Sequence, residues 1–109
     1  MNDTHAFFDL GLLGEQRSAS AKAYLEFLRA PAMSAGIYVL APGQTDRQRP
    51  HREDELYYVV QGRARMRAQE EDREVQPGSV IFVKAQVEHR FYDIQEELVV
   101  LVFFAPAET

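Results

Sequence analysis

Cysteine is absent from this chain of 109 residues, and its absence excludes several kinds of site. Without a thiol the protein has no disulfide framework, no zinc-thiolate site and no cysteine nucleophile. Positive charge is also scarce, since 12 Lys and Arg against 17 Asp and Glu give a net charge of −5. Such a surface is a poor match for phosphate groups, so we expect no nucleic-acid partner. Any metal site must use histidine and carboxylate ligands.

Long apolar runs are missing as well. No uncharged apolar stretch approaches the roughly 18 residues that a membrane-spanning helix needs. Residues Met1–Thr4 lack the basic and apolar regions of a secretory signal. We therefore predict no membrane partner and a cytoplasmic location. The length fits one domain, and a hydrophobic content of 46% is enough for a sizeable core.

Residues 1–36 predict an arm and one short helix that pack on the rest of the domain. Met1–Gly14 mixes apolar side chains with glycines that interrupt any regular element. In Ser18–Arg29 apolar residues recur at helical spacing, and Pro31 prevents the helix from continuing. The same short run is also compatible with an edge strand over Tyr24–Arg29.

Residues 37–109 predict short strands separated by turns. Apolar runs end at Pro42-Gly43, at Gly62 and at Pro77-Gly78, and the acidic stretch Glu70–Asp72 suits a further turn. Because no helix-length connections remain, the strands must pair antiparallel, as in an all-β sandwich or barrel. The predicted strands are Ile37–Ala41, Leu56–Gln61, Arg63–Ala68, Val80–Val83, His89–Ile94 and Leu98–Ala105.

The segment Glu97–Ala105 is apolar on both of its faces. One face can enter the core, but the other needs cover from the N-terminal arm or from a second subunit, because monomers rarely expose a large apolar patch. We therefore expect a homodimer.

Ligand chemistry is concentrated in two of the three histidines and one glutamate. His51 and Glu55 lie four residues apart at the start of one predicted strand, and His89 begins a later one. Taken singly, each histidine is typical of a surface or hydrogen-bonded residue, so the interpretation depends on the residues around them.

The residues around His51 resemble the first motif of the cupin superfamily. That motif combines a glycine, a His-x-His pair, a glutamate and a second glycine. Here Gly43, Arg49, His51, Glu55 and Gly62 occupy its places, and four of these five agree with it.

A second cupin motif follows after an interval of fifteen residues between the two motif glycines. It combines a glycine, a Pro-x-Gly turn, a histidine and an asparagine. Here Gly78, Lys84, Gln86, His89 and Asp93 stand in those places. The resemblance implies a double-stranded β-helix, the eight-stranded jelly-roll barrel, with a site in its lumen.

Strand parity supports the same convergence. Because side chains two residues apart share a strand face, Glu55 and Tyr57 are expected to point together, as are His89, Phe91 and Asp93. If these faces line one lumen, the three ligand candidates meet there, with Tyr57 and Phe91 lining a pocket. Two imidazoles and a carboxylate suit Fe, Mn, Ni, Cu or Zn and leave open coordination positions.

Arg49 departs from the motif, because a guanidinium stays protonated and cannot bind a metal. Parity with His51 places it in the lumen, where two interpretations are open. Either His51, Glu55 and His89 still hold a metal while Arg49 anchors an anionic ligand in a site that Asp93 also lines, or Arg49 pairs with Glu55 and its charge replaces the ion.

The leading functional hypothesis is a small cupin that binds one divalent metal and a small anionic organic ligand. Oxygenase, isomerase or lyase activity is open to such a site. The alternative is a metal-free, non-catalytic binding or sensing cupin in which Arg49 pairs with Glu55.

Overall fold

The computed structural model describes residues 4–47 and 49–109. One helix precedes six strands in the described part of the chain. These elements are α1 (Leu10–Ser20), β1 (Tyr24–Ala30), β2 (Met33–Leu40), β3 (Asp54–Ala68), β4 (Glu71–Val75), β5 (Val80–Val83) and β6 (His89–Ala105). No helix among the described residues is long and apolar enough to cross a membrane.

The six strands form a single antiparallel sheet, which confirms the all-β prediction. Its order is β1-β2-β6-β3-β4, and β5 pairs with the first half of β3. The two longest strands, β3 and β6, pair from Asp54 opposite Ala105 to Ala68 opposite His89. This pairing brings the start of β6 beside the end of β3, while the loop before β3 lies near the end of β6.

One apolar core connects five strands of this sheet. Its buried side chains include Leu40 of β2, Tyr57 of β3, Val75 of β4, Val83 of β5 and Val100 of β6. Side chains from one sheet can enclose a common core only if the sheet curves around it, as in a barrel.

The two longest strands change their buried parity along their length. In β3 the buried residues are Glu55, Tyr57 and Val59 before the change and Ala64 and Met66 after it. The pairing register with β6 shifts twice between Val59 and Arg63, which reverses the face that points inward.

Gly62 lies at this reversal, with φ at +95°. A Cβ atom built on it would lie 2.2 Å from the carbonyl oxygen of Glu97, so only glycine fits between the two strands.

The amino-terminal region differs from its prediction. The helix covers Leu10–Ser20, because Asp9 caps it by accepting a hydrogen bond from the amide of Leu12 at 3.1 Å. Its start falls inside the predicted arm, whose residues 1–3 lie outside the described range. The helix predicted over Ser18–Arg29 is therefore wrong, and the edge-strand alternative is confirmed as β1, which pairs with β2.

Strands are also fewer and longer than predicted. The runs Leu56–Gln61 and Arg63–Ala68 belong to one strand of 15 residues, and His89–Ile94 and Leu98–Ala105 to one of 17 residues. Gly62 allows a bend within the pairing instead of ending a strand. The acidic turn is shorter than expected, since β4 already begins at Glu71. The boundary drawn at residue 37 falls inside β2.

Candidate metal centre

Three side chains converge inside the sheet as the spacing predicts. Glu55 lies near the start of β3, His89 begins β6, and His51 stands on the loop that leads into β3. One ligand atom from each lies within 4.8 Å of those from the other two. Glu55 and His89 are buried and His51 is half-buried. In the β3–β6 register Glu55 lies opposite Phe104 and His89 lies opposite Ala68, so these two side chains meet because the sheet curves around its core.

The ring of His89 is held in a defined orientation. Its Nδ1 lies 2.8 Å from the carbonyl oxygen of Val87, which accepts the Nδ1 proton. Nε2 faces the interior, where it lies 3.0 Å from Oε1 of Glu55 and 3.1 Å from the Tyr57 hydroxyl. A neutral imidazole with its proton on Nδ1 directs the Nε2 lone pair into this cluster.

The carboxylate of Glu55 has an unusual environment. The residue is 2% exposed, and neither carboxylate oxygen makes a hydrogen bond with any described residue. Among the described ion pairs, the only close charged neighbour of Glu55 is His89. The Nε2 atom of His89 lies close to Oε1 of Glu55, but the two groups are not oriented for a hydrogen bond. A buried carboxylate is costly unless a positive charge compensates it, so this position calls for a cation or a proton.

In the metal-free chain His89 can supply that charge. Burial by itself lowers the pKa of His89, but Glu55 and the Val87 carbonyl oppose it and raise this pKa above the usual 6.5. When His89 is protonated, its Nε2 proton occupies the place that a metal would take. The proton and the metal compete for the same nitrogen.

His51 is fixed by its backbone and by two neighbouring side chains. Its carbonyl oxygen accepts a hydrogen bond from the amide of Gln86 at 2.7 Å. Its ring packs edge-on against Phe104, with the centroids 5.0 Å apart. Its Nδ1 lies 3.3 Å from Oε2 of Glu108. Gln86 adopts the left-handed φ of 69° at the place of the motif's glycine, so the turn keeps a glycine-like backbone there.

A cavity of about 200 Å³ opens beside two of the ligand candidates, His51 and Glu55. It is small beside the roughly 300–1,000 Å³ of typical drug-sized pockets. Its wall combines aromatic, apolar and charged side chains. They are Tyr24, Tyr38, Arg47, His51, Glu55, Tyr57, Val102, Phe104 and Glu108.

Two tyrosines in this wall retain their protons. Burial, followed by the charge of Glu108, raises the pKa of Tyr24 far above its usual value, and its hydroxyl is buried without a hydrogen-bond partner in the described chain. Burial and the neighbouring Asp46 raise the pKa of Tyr38, which donates to Oδ1 of Asp46 at 2.8 Å. Gly36 makes room for the Tyr24 ring, since a Cβ there would lie 2.2 Å from it.

The other predicted site residues divide into two groups. Tyr57 lines the cavity, and Phe91 lies behind it, packed edge-on with the centroids 5.0 Å apart. The expectation that Asp93 shares the face of Phe91 is wrong, because a positive φ of 50° turns Asp93 outward and leaves it exposed.

Arg49 is exposed and does not line the cavity, so the expectation that it faces the lumen is wrong. Strand parity does not apply to it, because β3 begins only at Asp54. The described ion pairs join Glu55 to His89 and not to Arg49. Arg47 is the arginine that lines the cavity.

Sequence reasoning missed six lining residues, namely Tyr24, Tyr38, Arg47, Val102, Phe104 and Glu108. Tyr24 was placed on a helix, which obscured its inward face. Glu108 is remote from both motifs, so no local pattern could connect it to His51. Burial raises the pKa of Glu108, His51 opposes this, and Glu53 and Glu55 add to the rise.

The chain is similar to known proteins over most of its length. A model of the cupin domain family matches residues 36–104. An uncharacterized protein of Streptomyces coelicolor is 48% identical over 102 residues, covering 94% of this chain and 97% of that protein. The solved structure of TT1209 from Thermus thermophilus is 25% identical, with a TM-score of 0.70 and coverage of 93% of this chain and 97% of that one.

A lyase structure has a similar fold. DMSP lyase DddQ from Ruegeria pomeroyi is 18% identical, with a TM-score of 0.66 and coverage of 70% of this chain and 39% of that one. At this identity the likeness is one of fold.

Proposed function

Because this chain belongs to the cupin family, we propose that it binds one divalent transition metal through His51, Glu55 and His89 and holds a small anionic organic ligand beside it. The observation that supports this proposal is the buried carboxylate of Glu55, which lacks a hydrogen-bond partner among the described residues and faces a directed histidine nitrogen. Two imidazoles and one carboxylate fit Fe, Mn, Ni, Cu or Zn.

The ligand is proposed to be small and anionic. The cavity holds only about 200 Å³, and Arg47 lines it with a permanent positive charge. The unpartnered hydroxyl of Tyr24 offers one further donor inside the wall. Arg47 therefore takes the anchoring role that the sequence assigned to Arg49, and the exposed Asp93 takes no part in ligand binding.

Three protein groups would shape the chemistry. A metal bound here supplies a Lewis acid that polarises ligand oxygens. Tyr57 lines the cavity with its hydroxyl 3.1 Å from Nε2 of His89, which places a proton donor beside the ligand. Phe104 and Val102, which are buried in the same wall, make that part of the cavity apolar. Lyase, isomerase and oxygenase reactions are the classes that we propose to test.

The test is metal content. Chelator-treated protein is incubated separately with Fe(II), Mn(II), Ni(II), Cu(II) or Zn(II), dialysed, and analysed for elements. We expect about one equivalent of at least one metal, and its loss in His51→Ala and His89→Ala. His5→Ala is the matched control, because His5 is exposed and lies outside the cluster. Uptake below about a tenth of an equivalent for every metal would overturn the proposal.

A metal-free binding protein is the second candidate, and one observation favours it. A protonated His89 lies 3.0 Å from Glu55 and can neutralise it without an ion. This pair replaces the Arg49–Glu55 pair that the alternative hypothesis assumed. The absence of metal uptake combined with calorimetric binding of small carboxylic acids that Arg47→Ala weakens would favour this candidate.

We also propose that two copies of the chain form a homodimer through the outer face of the β3, β5 and β6 strands. Leu56 pairs with Phe82 and with Phe103 across this face, and Tyr58 pairs with Val80. Phe82 and Val80 are each 62% exposed, which is unusual for an isolated sheet face. Light scattering should give twice the chain mass, and Phe82→Glu should halve it, whereas a monomer mass for the parent chain would contradict the proposal.

A further inference from the structure

We propose that Glu108 is a positioning residue of the metal centre: its carboxylate accepts the Nδ1 proton of His51 and thereby directs Nε2 of that ring toward the metal. This inference rests on the metal site proposed above and extends it to a segment outside both sequence motifs. The observation that suggests it is the distance of 3.3 Å between Nδ1 of His51 and Oε2 of Glu108.

The backbone of Glu108 is held on both sides, which fixes where its side chain starts. Its amide donates to the hydroxyl of Ser34 at 3.0 Å, and its carbonyl oxygen accepts from Nη2 of Arg29. These partners lie on two different strands, β2 and β1. The segment therefore lies beside the turn that joins β1 to β2, and the side chain of Glu108 lines the cavity.

The next residue adds a second anchor. Both the amide and the hydroxyl of Thr109 donate to Oε2 of Glu53, at 3.2 and 2.9 Å. Glu53 is itself buried, at 3% exposure. A buried carboxylate used to hold a chain segment indicates that this segment is a built part of the site.

Both histidines of the centre have an oxygen atom beside Nδ1 of the ring. His89 donates its Nδ1 proton to the Val87 carbonyl at 2.8 Å, and His51 has the Glu108 carboxylate at the same ring position. An acceptor at Nδ1 selects the tautomer whose lone pair is on Nε2, and a carboxylate also makes the imidazole a stronger ligand. Glu108 would therefore raise metal affinity without touching the metal.

The experiment compares three variants by two measurements. Glu108→Ala removes the acceptor, Glu108→Gln keeps an uncharged acceptor, and Glu74→Gln removes a carboxylate of the β4 surface as the matched control. The first measurement is the affinity for Zn(II) and Co(II) by competition with a chelating dye. We expect Glu108→Ala to bind about 10- to 100-fold more weakly, Glu108→Gln to fall between, and the control to match the parent.

The second measurement needs no metal. Nitrogen-15 NMR of the imidazoles, in metal-free protein at a pH where His51 is neutral, reports which ring nitrogen holds the proton. We expect the parent to hold it on Nδ1 of His51 and Glu108→Ala to shift it toward Nε2, with His89 unchanged. Circular dichroism melts confirm that the variants are folded.

Two results separate this inference from the metal proposal. If Glu108→Ala leaves both the tautomer of His51 and the metal affinity unchanged while His51→Ala abolishes binding, the metal site stands and the role of Glu108 is wrong. If no protein binds metal but the tautomer still depends on Glu108, the proposed metal function fails while the contact itself is confirmed.

Discussion

The two halves of β3 use their charged residues in opposite ways. The first half, Asp54–Val59, buries the carboxylate of Glu55 among apolar side chains with a histidine as its close charged neighbour. The second half, Arg63–Ala68, buries only Ala64 and Met66 and turns its arginines outward. Both halves pair with the same partner strand, β6. The difference therefore arises from which face each half presents to the interior.

Two of the three outward arginines pair with acids on the neighbouring strand, β4. Arg63 pairs with Glu74 at 3.0 Å, and Arg65 pairs with Asp72 at 2.9 Å. Exposed pairs of this kind contribute little, typically about 0–1 kcal/mol, because water already solvates both charges. The buried carboxylate of the first half has only His89 as a close charged neighbour and makes no hydrogen bond with any described residue. A carboxylate kept inside a sheet without hydrogen bonds therefore indicates a site, whereas ion pairs on the outer face indicate a solvated surface.

Substitution at the junction of the two halves should have the largest effect. Gly62→Ala places a Cβ against the Glu97 carbonyl and imposes a positive φ on alanine, so the parity reversal can no longer form. We expect a loss of about 3 kcal/mol or more in the free energy of unfolding. Urea unfolding measures it. Gly43→Ala is the control, since it has a positive φ of 84° but open space around its Cβ. If both variants lose the same unfolding free energy, the close contact with Glu97 adds nothing to the strain of a positive φ, and the steric argument is wrong.

Glu55→Gln makes the first half resemble the second by removing its buried charge. We expect metal affinity to fall at least about 100-fold. At a pH above the raised pKa of His89, where the parent's carboxylate has lost its compensating charge, we expect the metal-free variant to be about 1–3 kcal/mol more stable than the parent. Dye competition and urea unfolding measure the two effects. A simultaneous loss of stability and affinity would instead make Glu55 a structural residue.

A change of pH should alter the stability that the buried Glu55–His89 pair contributes. The pKa of His89 is raised in the folded chain, so its contribution to stability is complete below 6.5 and is lost as the pH rises through the raised value. We expect the metal-free protein to be less stable at about pH 9 than at about pH 6, while metal affinity increases over the same range as the Nε2 proton leaves. Unfolding curves at several pH values measure this slope. Glu55→Gln should flatten it, and an equal slope in that variant would contradict the assignment.

The smallest effect is expected in the second half. Glu74→Gln removes one partner of an exposed ion pair, so unfolding free energy should change by less than about 0.5 kcal/mol and metal affinity not at all. Thermal and urea unfolding at low and high salt measure it. A change above about 1 kcal/mol would mean that the outward face of β3 is more than a solvated surface.

Local patterns predicted much of the fold and the central residues of the site. The alternation of arginine with apolar residues identified Arg63–Ala68 as a strand with one solvent-exposed face. The resemblance to the cupin motifs selected His51, Glu55 and His89. Such patterns extend over a few residues, and strand parity is a local property of the backbone. For that reason they failed where the backbone is not a regular strand, namely at Asp93, which has a positive φ, and at Arg49, which lies in a loop.

Some elements were obscured by patterns that two structures share. An apolar run with residues on both faces suits a helix or a strand, so Tyr24–Ala30 became β1 only because β2 offered a partner. The turn signal at Gly62 is real, but the pairing of β3 with β6 on both sides of it continues the strand. Long-range pairing, which no short window contains, settled both cases.

By itself the sequence determined the absence of thiol chemistry through its composition and the all-β class through its turn pattern, and its resemblance to the cupin motifs selected the three side chains that could hold a metal. Only the tertiary structure decided which arginine lines the cavity, where Tyr24 points and that Glu108 reaches His51. Those relations join residues from opposite ends of the chain, and they exist only after the sheet has curved around its core. The physical reason is that a local pattern constrains the backbone of its own segment, whereas a site is made by contacts between segments.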